Sequence, residues 1–458
     1  MPVITTYASM SSRGFAPSNG TTALSSTYAR YLPTTGNVNT QIRVQRSPTF
    51  FAGQQTIDST RFSYSTDGKL YVIAWIQGGS TNEPLIITKY LSNNYFGGAK
   101  TVLLSDQIYS GTILCDGNNI YVVTSSITGV LSVIKFDSDL NILWNTFYSE
   151  VGVSAQQGIS ITIDSTSTYL YISSIAASGT VRRFYIFQNN GTLINAYNAN
   201  SWFDSPNSLA FDSFSTTRII ANNGATFFDL TGLTSVSFVS TKKTGSSSNQ
   251  YINPVCYYIN GSTRYSYSCF YYNGTGAAKY LGIIKRDFNG NVVLSYRYVF
   301  STLTTGSYFF QGITATDTNV YAYITDFGTT DNVMYIIKFD TNLNYINGYK
   351  LSTPVASGSP LNTYTPNLNP NYFNNTLTSL GLNSVWRLPN DLSLLANGTY
   401  VVDGVTWTKS TYSGTVTRFN YTVSLTTTTP AITTVTPTLV SFTPTVTATT
   451  DSFTYVGL

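Results

Sequence analysis

The sequence predicts an all-β protein, a β-propeller of about seven four-stranded blades, with six blades as the alternative. Three observations lead to this prediction: an excess of strand-forming residues, a repeat along the chain, and a four-strand pattern within each repeat. Aromatic residues make up 15% of the chain, with 36 Tyr and 26 Phe, and such side chains suit a half-buried pleated sheet. Charged residues make up only 10%, against roughly 25% in ordinary soluble domains. This composition favours strands joined by polar turns.

The repeat is marked by tyrosines that stand inside apolar runs and recur with a period of 50 residues. They are Tyr71, Tyr121, Tyr171 and Tyr321. Two further apolar runs, 218–221 and 268–272, occupy the registers that the tyrosines skip. Internal repeats of this length are typical of propellers and other repeat architectures.

Each repeat also predicts four short strands. A turn sequence such as Asp116-Gly117-Asn118-Asn119 precedes the tyrosine run, and a strand with a basic or aromatic pair near its end follows it, as in 133–137 and 336–340. A second turn and a last short strand complete the unit. Four antiparallel strands per repeat are the blade of a propeller, in which neighbouring blades cover both faces of each sheet.

The repeat and its interruptions predict the domain organisation. Residues 1–50 are polar and are interpreted as an extended N-terminal docking arm, with a disordered leader as the alternative. The propeller spans 51–425, and its seventh blade is expected at 394–402 and 414–421. An inserted loop is expected at 354–385, because four prolines fall there. They are Pro354, Pro360, Pro366 and Pro370.

Residues 426–458 are predicted to form a Thr/Pro-rich extended C-terminal segment. Its Thr, Val, Leu and Ile favour strands, whereas Pro437 and Pro444 restrict them to edges. The segment is therefore expected either to complete the last blade or to run along a neighbour.

The composition argues against enzymatic activity. The chain has no histidine, which removes Ser/His/Asp and Cys/His catalysis and histidine-based metal or haem sites. Its three cysteines form no CxxC pair, so neither a disulfide framework nor a thiolate metal site is expected. A glycosidase-like carboxylate pair remains the enzymatic alternative. Its candidates are Asp204, Asp326, Asp331 and Asp403. We predict no catalytic residue, no cofactor and no metal.

The charge pattern limits the partners. The 24 Lys and Arg are scattered and give a net charge of +4, so no nucleic-acid partner is predicted. No apolar run is long enough for a membrane span, so no membrane insertion is expected. Most tyrosines fall at packing positions of the repeat, but Tyr308, Tyr364 and Tyr372 lie outside it and are the candidate ligand contacts.

Two sequence segments resemble known proteins. The opening run, with Arg13, Gly14 and Phe15, resembles short segments of virion structural and tail-fibre-like proteins of marine tailed bacteriophages. The pattern 116–122, followed by 134–137 and Trp144, is similar to the bacterial propeller repeats that occur in such virion proteins. The resemblance implies assembly docking through Arg13, Gly14 and Phe15, other virion proteins as partners, and a homo-oligomer.

The expected function is therefore a structural component of a phage virion, assembled in the host cytoplasm. It would be a tail appendage or tail-fibre-associated protein acting in assembly, in binding a host-surface glycan or protein, or in both. Head decoration, a tail nozzle and a carbohydrate-binding adhesin propeller are the alternatives. The absence of heptads and of collagen-like repeats argues against a fibre shaft.

Overall fold

The computed structural model describes residues 43–46 and the strands and turns between residues 57 and 457. It does not describe 1–42, 47–56, 199–208, 355–371 and shorter stretches between strands. The described strands, β1 to β36, form seven antiparallel sheets. Within the described part of the chain, no helix is long and apolar enough to cross a bilayer.

Six sheets begin with four consecutive strands each, in chain order after β1 (Arg43–Arg46). Sheet 1 contains β2 (Ile57–Tyr64), β3 (Leu70–Ile76), β4 (Pro84–Tyr90) and β5 (Phe96–Leu103). Sheet 2 contains β6 (Ile108–Asp116), β7 (Asn119–Ser126), β8 (Leu131–Phe136) and β9 (Ile142–Ser149). Sheet 3 contains β10 (Gln156–Ile163), β11 (Tyr169–Ala176), β12 (Arg182–Gln188) and β13 (Leu193–Asn198).

Sheet 4 contains β14 (Leu209–Phe211), β15 (Arg218–Asn222), β16 (Thr226–Thr231) and β17 (Ser237–Thr244). Sheet 5 contains β18 (Gln250–Asn260), β19 (Thr263–Asn273), β20 (Lys279–Asp287) and β21 (Val292–Phe300). Sheet 6 contains β22 (Ser307–Ala315), β23 (Asn319–Phe327), β24 (Asp331–Asp340) and β25 (Tyr345–Pro354). Sheet 7 contains β26 (Tyr372–Phe373), β27 (Thr376–Leu380), β28 (Ser384–Pro389) and β1.

The second strand of each of the first six sheets lies at the predicted register of the repeat. Tyr71, Tyr121, Tyr171 and Tyr321 lie in β3, β7, β11 and β23, and the two skipped registers form β15 and β19. These strands are apolar on both faces because a neighbouring sheet covers each face. In β7 all residues from Ile120 to Ser126 are buried.

The apolar core lies between the sheets. The first strands of sheets 1 and 2, 2 and 3, 3 and 4, and 5 and 6 pack side by side. Buried clusters join each consecutive pair from sheet 1 to sheet 6. Consecutive antiparallel sheets with their first strands together and their fourth strands apart are the arrangement of a β-propeller. The all-β propeller fold is therefore confirmed.

The sheets have five or six strands, so the prediction of four-stranded blades was wrong. The additional strands come from residues 398–457, and in every sheet one of them pairs with the fourth strand. Sheet 6 has a second additional strand, which pairs with the first one. They are β29 (Gly398–Val402) and β30 (Val405–Thr411) in sheet 6, β31 (Val416–Asn420) in sheet 5, β32 (Leu425–Thr428) in sheet 4, β33 (Thr433–Val435) in sheet 3, β34 (Thr438–Val440) in sheet 2, β35 (Thr445–Ala448) in sheet 1 and β36 (Thr454–Gly457) in sheet 7. We call strands β31 to β36 the belt. It passes the sheets in the reverse of chain order.

Three boundaries of the predicted organisation change as a result. The expected seventh blade at 394–402 and 414–421 is not a separate sheet, since β29 joins sheet 6 and β31 joins sheet 5. The expected inserted loop 354–385 begins with the last residue of β25, and its end forms β26, β27 and the first residues of β28. Residues 43–46 of the expected arm form β1, the fourth strand of sheet 7.

The prolines of the C-terminal segment have the predicted effect. Every belt strand in the described residues lies at the edge of its sheet, with one partner in sheets 1 to 5 and 7. Pro437 separates β33 from β34, and Pro444 immediately precedes β35. Proline has no backbone N–H to donate to a ladder, so both residues lie between belt strands and not within them.

Candidate interaction surface

Three turns between third and fourth strands share one geometry, which involves Asp137, Asp287 and Asp340. In each turn the Asp Oδ1 accepts hydrogen bonds from the backbone N–H groups two and four residues later, at 2.7–2.9 Å. The Oδ2 accepts one from the side chain of the Asn four residues later, at 2.7–2.8 Å. These carboxylates therefore close turns. Asp137-Ser138-Asp139 is part of such a turn.

The hydrogen bonds of this turn affect ionisation. Burial works to raise the pKa of the Asp137 and Asp340 carboxyls, but the bonds from the Asn side chain and the backbone N–H groups outweigh it. The pKa of both groups is consequently lowered from the ordinary value of 3.8. The charged form is the one that the turn binds.

Tyrosines at the repeat register connect sheets 1, 2 and 3 to the turn of the next sheet. The hydroxyl of Tyr71 donates to the carbonyl of Ser138 at 3.2 Å, and that of Tyr121 donates to Asn189 Oδ1 at 3.0 Å. Tyr171 donates in the same way to the carbonyl of Leu233 in the next sheet. Burial raises the pKa of all three hydroxyls. These tyrosines are packing and cross-linking groups, as the repeat predicted.

The basic residue near the end of the third strand has an equivalent role. Lys89 Nζ lies 2.9 Å from Asp139 Oδ1 of the next sheet, and Lys135 Nζ donates to Asn189 Oδ1 at 2.6 Å. Lys285 Nζ donates to the carbonyl of Thr341 at 3.0 Å and lies 4.0 Å from the centre of the Tyr265 ring. Burial lowers the pKa of the Lys135 and Lys285 amines. The recurring lysine therefore joins sheets.

Sheets 4 and 5 are joined by an arginine. Arg218 Nε and Nη2 donate to the two carboxylate oxygens of Asp229 at 2.9 and 3.0 Å. The same Nη2 donates to the carbonyl of Phe288 and to Asn289 Oδ1 in the turn of sheet 5. A bidentate pair of this kind fixes the guanidinium while it crosses to the neighbouring sheet.

A β-bulge recurs near the start of the fourth strand of the first six sheets, at the second residue of the strand in five sheets and at the third in sheet 4. At each bulge one residue is skipped in the pairing with the third strand. We call these residues the bulge series: Gly97, Leu143, Ile194, Val239, Val293 and Ile346.

Aliphatic members of the bulge series are exposed. Leu143 is 53% exposed, Val239 57%, Val293 46% and Ile346 46%. Exposed aliphatic side chains are unremarkable when scattered, but here the same position in four sheets carries one. The molecule therefore presents aliphatic groups at equivalent points of its outer edge.

The bulge also limits the belt. In each of the six sheets the belt strand, or β30 in sheet 6, pairs with the fourth strand only after the bulge, as in 147–149 of β9 and 296–300 of β21. A bulge interrupts the regular ladder of N–H and C=O groups, and the belt pairs only with the regular part of the strand that follows it. The start of each of these fourth strands, with its bulge residue, lies outside the paired part.

The sequence carries a trace of the bulge series. Two apolar residues follow the turn directly in Ile142-Leu143, Val292-Val293 and Tyr345-Ile346. Such a pair breaks the alternation of inward and outward residues that a regular strand requires.

Two of the three tyrosines predicted as ligand contacts lie in described strands, and these strands belong to different sheets. Tyr308 lies in β22 opposite Asp326, and Tyr372 lies in β26 opposite Leu377. Tyr364 and the docking residues 13–15 lie outside the described residues.

The structure describes two of the four acidic candidates and all three cysteines. Asp326 and Asp331 occupy β23 and β24, whereas Asp204 and Asp403 lie outside the described residues. The three cysteines are free thiols. In the part of the chain that the structure covers, no group of three or more Cys, Asp or Glu is placed to hold a metal ion.

No protein-family model and no curated protein matches the chain. Among solved structures, the chain is similar to the WD40 domain of SCAP from fission yeast, with a TM-score of 0.36 and 7% identity over 76% of this chain and 98% of that one. It is also similar to the S. cerevisiae core factor, with a TM-score of 0.35 and 10% identity over 82% of this chain and 62% of that one. The propeller assignment rests on the sheets themselves.

Proposed function

We propose that this protein is a non-enzymatic structural component that binds neighbouring subunits of a larger assembly through its outer edge. The bulge series carries the proposal, because four equivalent positions expose aliphatic side chains at the ends of sheets. Several acidic and basic side chains of the described residues close turns or join sheets, among them Asp137, Lys89 and Lys285. The bulge series offers apolar groups in a polar surround, and apolar anchors of this kind are typical of protein interfaces.

We propose further that the seven sheets are the blades of one closed ring. Six sheets follow one another side by side in chain order. The seventh combines β28 with β1 and β36, which come from opposite ends of the chain. Pairing between the two ends of a chain joins the last blade to the first and leaves fewer open edges.

The assembly that we propose is a bacteriophage virion, with this chain as a tail appendage or tail-fibre-associated protein. This part rests on the resemblance of the segment around Arg13, Gly14 and Phe15 to virion proteins. In this proposal the N-terminal residues provide one attachment to other virion proteins, and the bulge series provides the lateral one. Binding to a host-surface glycan or protein belongs to the same proposal.

The lateral contact is tested by placing a charge at three bulge positions. The variant carries Leu143→Asp, Val293→Asp and Ile346→Asp, encoded in the phage genome. Because these side chains are about half exposed, each change should alter the free energy of unfolding by no more than about 0.5 kcal/mol. Burying three carboxylates at an apolar contact should reduce the protein in gradient-purified particles at least about tenfold.

The matched control is Ile127→Asp. Ile127 is 42% exposed, but it lies in the turn between the second and third strands of sheet 2, away from the bulge series. It should leave the particle content unchanged. Equal incorporation of the triple variant and the parent would refute the lateral contact. Absence of the parent protein from purified particles, measured by mass spectrometry, would refute the virion assignment.

A further inference from the structure

The belt is held by the same two kinds of contact in several sheets. Backbone pairing joins each strand to a fourth strand, over three positions for β33 and β34 and five for β31. In addition, one valine of a belt strand packs against the cluster between two sheets: Val416 at sheets 5 and 6, Val435 at sheets 2 and 3, and Val440 at sheets 1 and 2. Each attachment is therefore small, local and repeated.

The outer face of the belt is open. Leu439 in β34 is 66% exposed and Phe419 in β31 is 46% exposed. Every belt strand lies at the edge of its sheet in the described structure, so no other strand covers it. The belt can consequently separate from a sheet without passing beneath another element. The acceptor edge that it leaves has unpaired N–H and C=O groups and an apolar position for one valine.

We propose that the fourth-strand edges are strand-acceptor sites for the belt of a second copy of this chain, so that copies are linked by exchange of their C-terminal strands. The partner follows from the contacts, since the belt of another copy reproduces every pairing and every valine contact seen within one chain. Such an exchange makes no new type of contact and loses none. A belt can then bind either its own chain or a second copy. The fraction bound to a second copy depends on the protein concentration relative to the effective concentration of the chain's own belt.

This inference goes beyond the proposed function and uses different residues. The bulge series lies before the paired part of each fourth strand, and the belt occupies the part after it. Loss of particle incorporation in the bulge variant would therefore leave exchange intact, and loss of exchange would leave the bulge contact intact.

The test uses two full-length variants, each with one new cysteine. Thr438 in β34 lies directly opposite Ser149 in β9. One chain carries Thr438→Cys and the other Ser149→Cys, so a disulfide between these positions can form only between two copies. The native thiols do not compete, because burial raises the pKa of Cys115 and Cys256 to about 12.

The two variants are mixed at high concentration, oxidised and separated on a non-reducing gel. We expect a covalent dimer that contains the 438–149 disulfide by peptide mapping. The control is a mixture of Thr438→Cys with Ile346→Cys, because Ile346 is exposed and the belt does not reach it. The yield of the 438–149 dimer should be at least about ten times the dimer yield of this control. A yield equal to that control would overturn the proposal.

A second pair guards against a local effect of the substitutions. Thr447 in β35 lies opposite Thr101 in β5, so Thr447→Cys and Thr101→Cys test sheet 1 in the same way. Adding Val435→Asp and Val440→Asp to the donor chain should lower the dimer yield, because a carboxylate replaces each inward valine. A dimer yield that the two aspartates leave unchanged would also contradict exchange through the belt.

Discussion

Leu343 shows how one residue connects turn geometry to the packing between sheets. It occupies the fourth position of the Asp340 turn with a φ of 61°, and its side chain is fully buried in the cluster between sheets 5 and 6. A left-handed conformation costs a non-glycine residue about 1–2 kcal/mol, whereas burial of a leucine side chain contributes about 1.5–3 kcal/mol. Burial is the larger effect, so leucine is tolerated where glycine is the usual residue.

At position 343 a glycine variant should therefore be more stable than an alanine variant, which is the reverse of the usual order. Leu343→Ala and Leu343→Gly both lose the buried side chain and should lower the free energy of unfolding by about 2–5 kcal/mol. The glycine variant also relieves the backbone strain, so it should be more stable than the alanine variant by about 0.5–1 kcal/mol. Denaturant unfolding of both proteins measures the difference. A more stable alanine variant would show that the turn stores no strain.

For single residues, the sequence predicts which residue types form the turns better than it predicts which residues contact each other. Asp and Asn at the turns are predicted from their tendency to accept backbone hydrogen bonds, and the structure confirms this for Asp137 and Asp340. The partner of Lys89 is Asp139, 50 residues further along the chain. A sequence pattern without spatial information cannot identify such a pair, because it depends on the stagger between two sheets.

At the scale of elements, the turn between the third and fourth strands packs against the preceding sheet, and one large side chain fills the space between them, which we call the slot. This side chain comes either from the turn or from the preceding sheet. In sheets 2 and 6 the turn supplies Leu140 or Leu343. In sheet 5 the turn has Gly290, and Phe227 of sheet 4 fills the space: a Cβ at Gly290 would lie 2.3 Å from that ring. Gly191 has the same relation to Trp144. The slot accepts one large side chain from either side.

A double-mutant cycle can test this exchange of roles. Gly290→Leu alone should be strongly destabilising, because its φ of +75° suits glycine and Phe227 occupies the space. Phe227→Ala alone should cost about 3–5 kcal/mol, since this ring is fully buried. The double variant should be more stable than the sum of the two effects by about 1–3 kcal/mol. Additive effects, measured by denaturant unfolding, would mean that the two residues do not share a slot.

The belt could not have been assigned to its sheets from the sequence. The second strands of the six sheets are long apolar runs with a fixed period, and these are the strands that the pattern locates. By contrast, β33 and β34 have three residues each, too few for any periodicity to be recognised. Their partners are also remote in sequence: Thr434 pairs with Tyr197 and Leu439 with Tyr148.

For the whole molecule, the absence of histidine predicts a flat dependence of stability on pH near neutrality. No side chain with an ordinary pKa between 5 and 8 is present. The free energy of unfolding should therefore change by less than about 1 kcal/mol between about pH 6 and 8. At low pH it should fall, because the lowered pKa values of Asp137 and Asp340 give a stabilisation that is lost below about pH 4.

At high pH the buried tyrosines should dominate. Burial raises the pKa of Tyr71, Tyr121, Tyr171, Tyr267 and Tyr298 above the ordinary value of 10.0. The folded state then keeps protons that the unfolded state releases, so stability is present below about pH 10 and is lost as the pH rises further. The lowered pKa values of two lysines act in the opposite direction, but the tyrosines are more numerous.

Denaturant unfolding at successive pH values would show this profile. Tyr298→Phe removes one of the five hydroxyls, so the alkaline loss should be smaller in that variant even though its stability at neutral pH is lower. A sloping free energy between about pH 6 and 8, or an alkaline limb that Tyr298→Phe leaves unchanged, would contradict the assignment of these groups.

The reversed order of the belt has a consequence for synthesis on the ribosome. Sheets 1 to 6 emerge in sequence, and each can close its first four strands while the next is being made. Their outermost hydrogen-bonding groups stay open until the belt emerges, and the earliest sheet waits longest: Thr445 pairs with Leu103, but Thr417 pairs with Val299. The nascent chain is thus most exposed to edge-to-edge aggregation just before residues 416–457 emerge, and the belt is placed after the first four strands of the six sheets have closed.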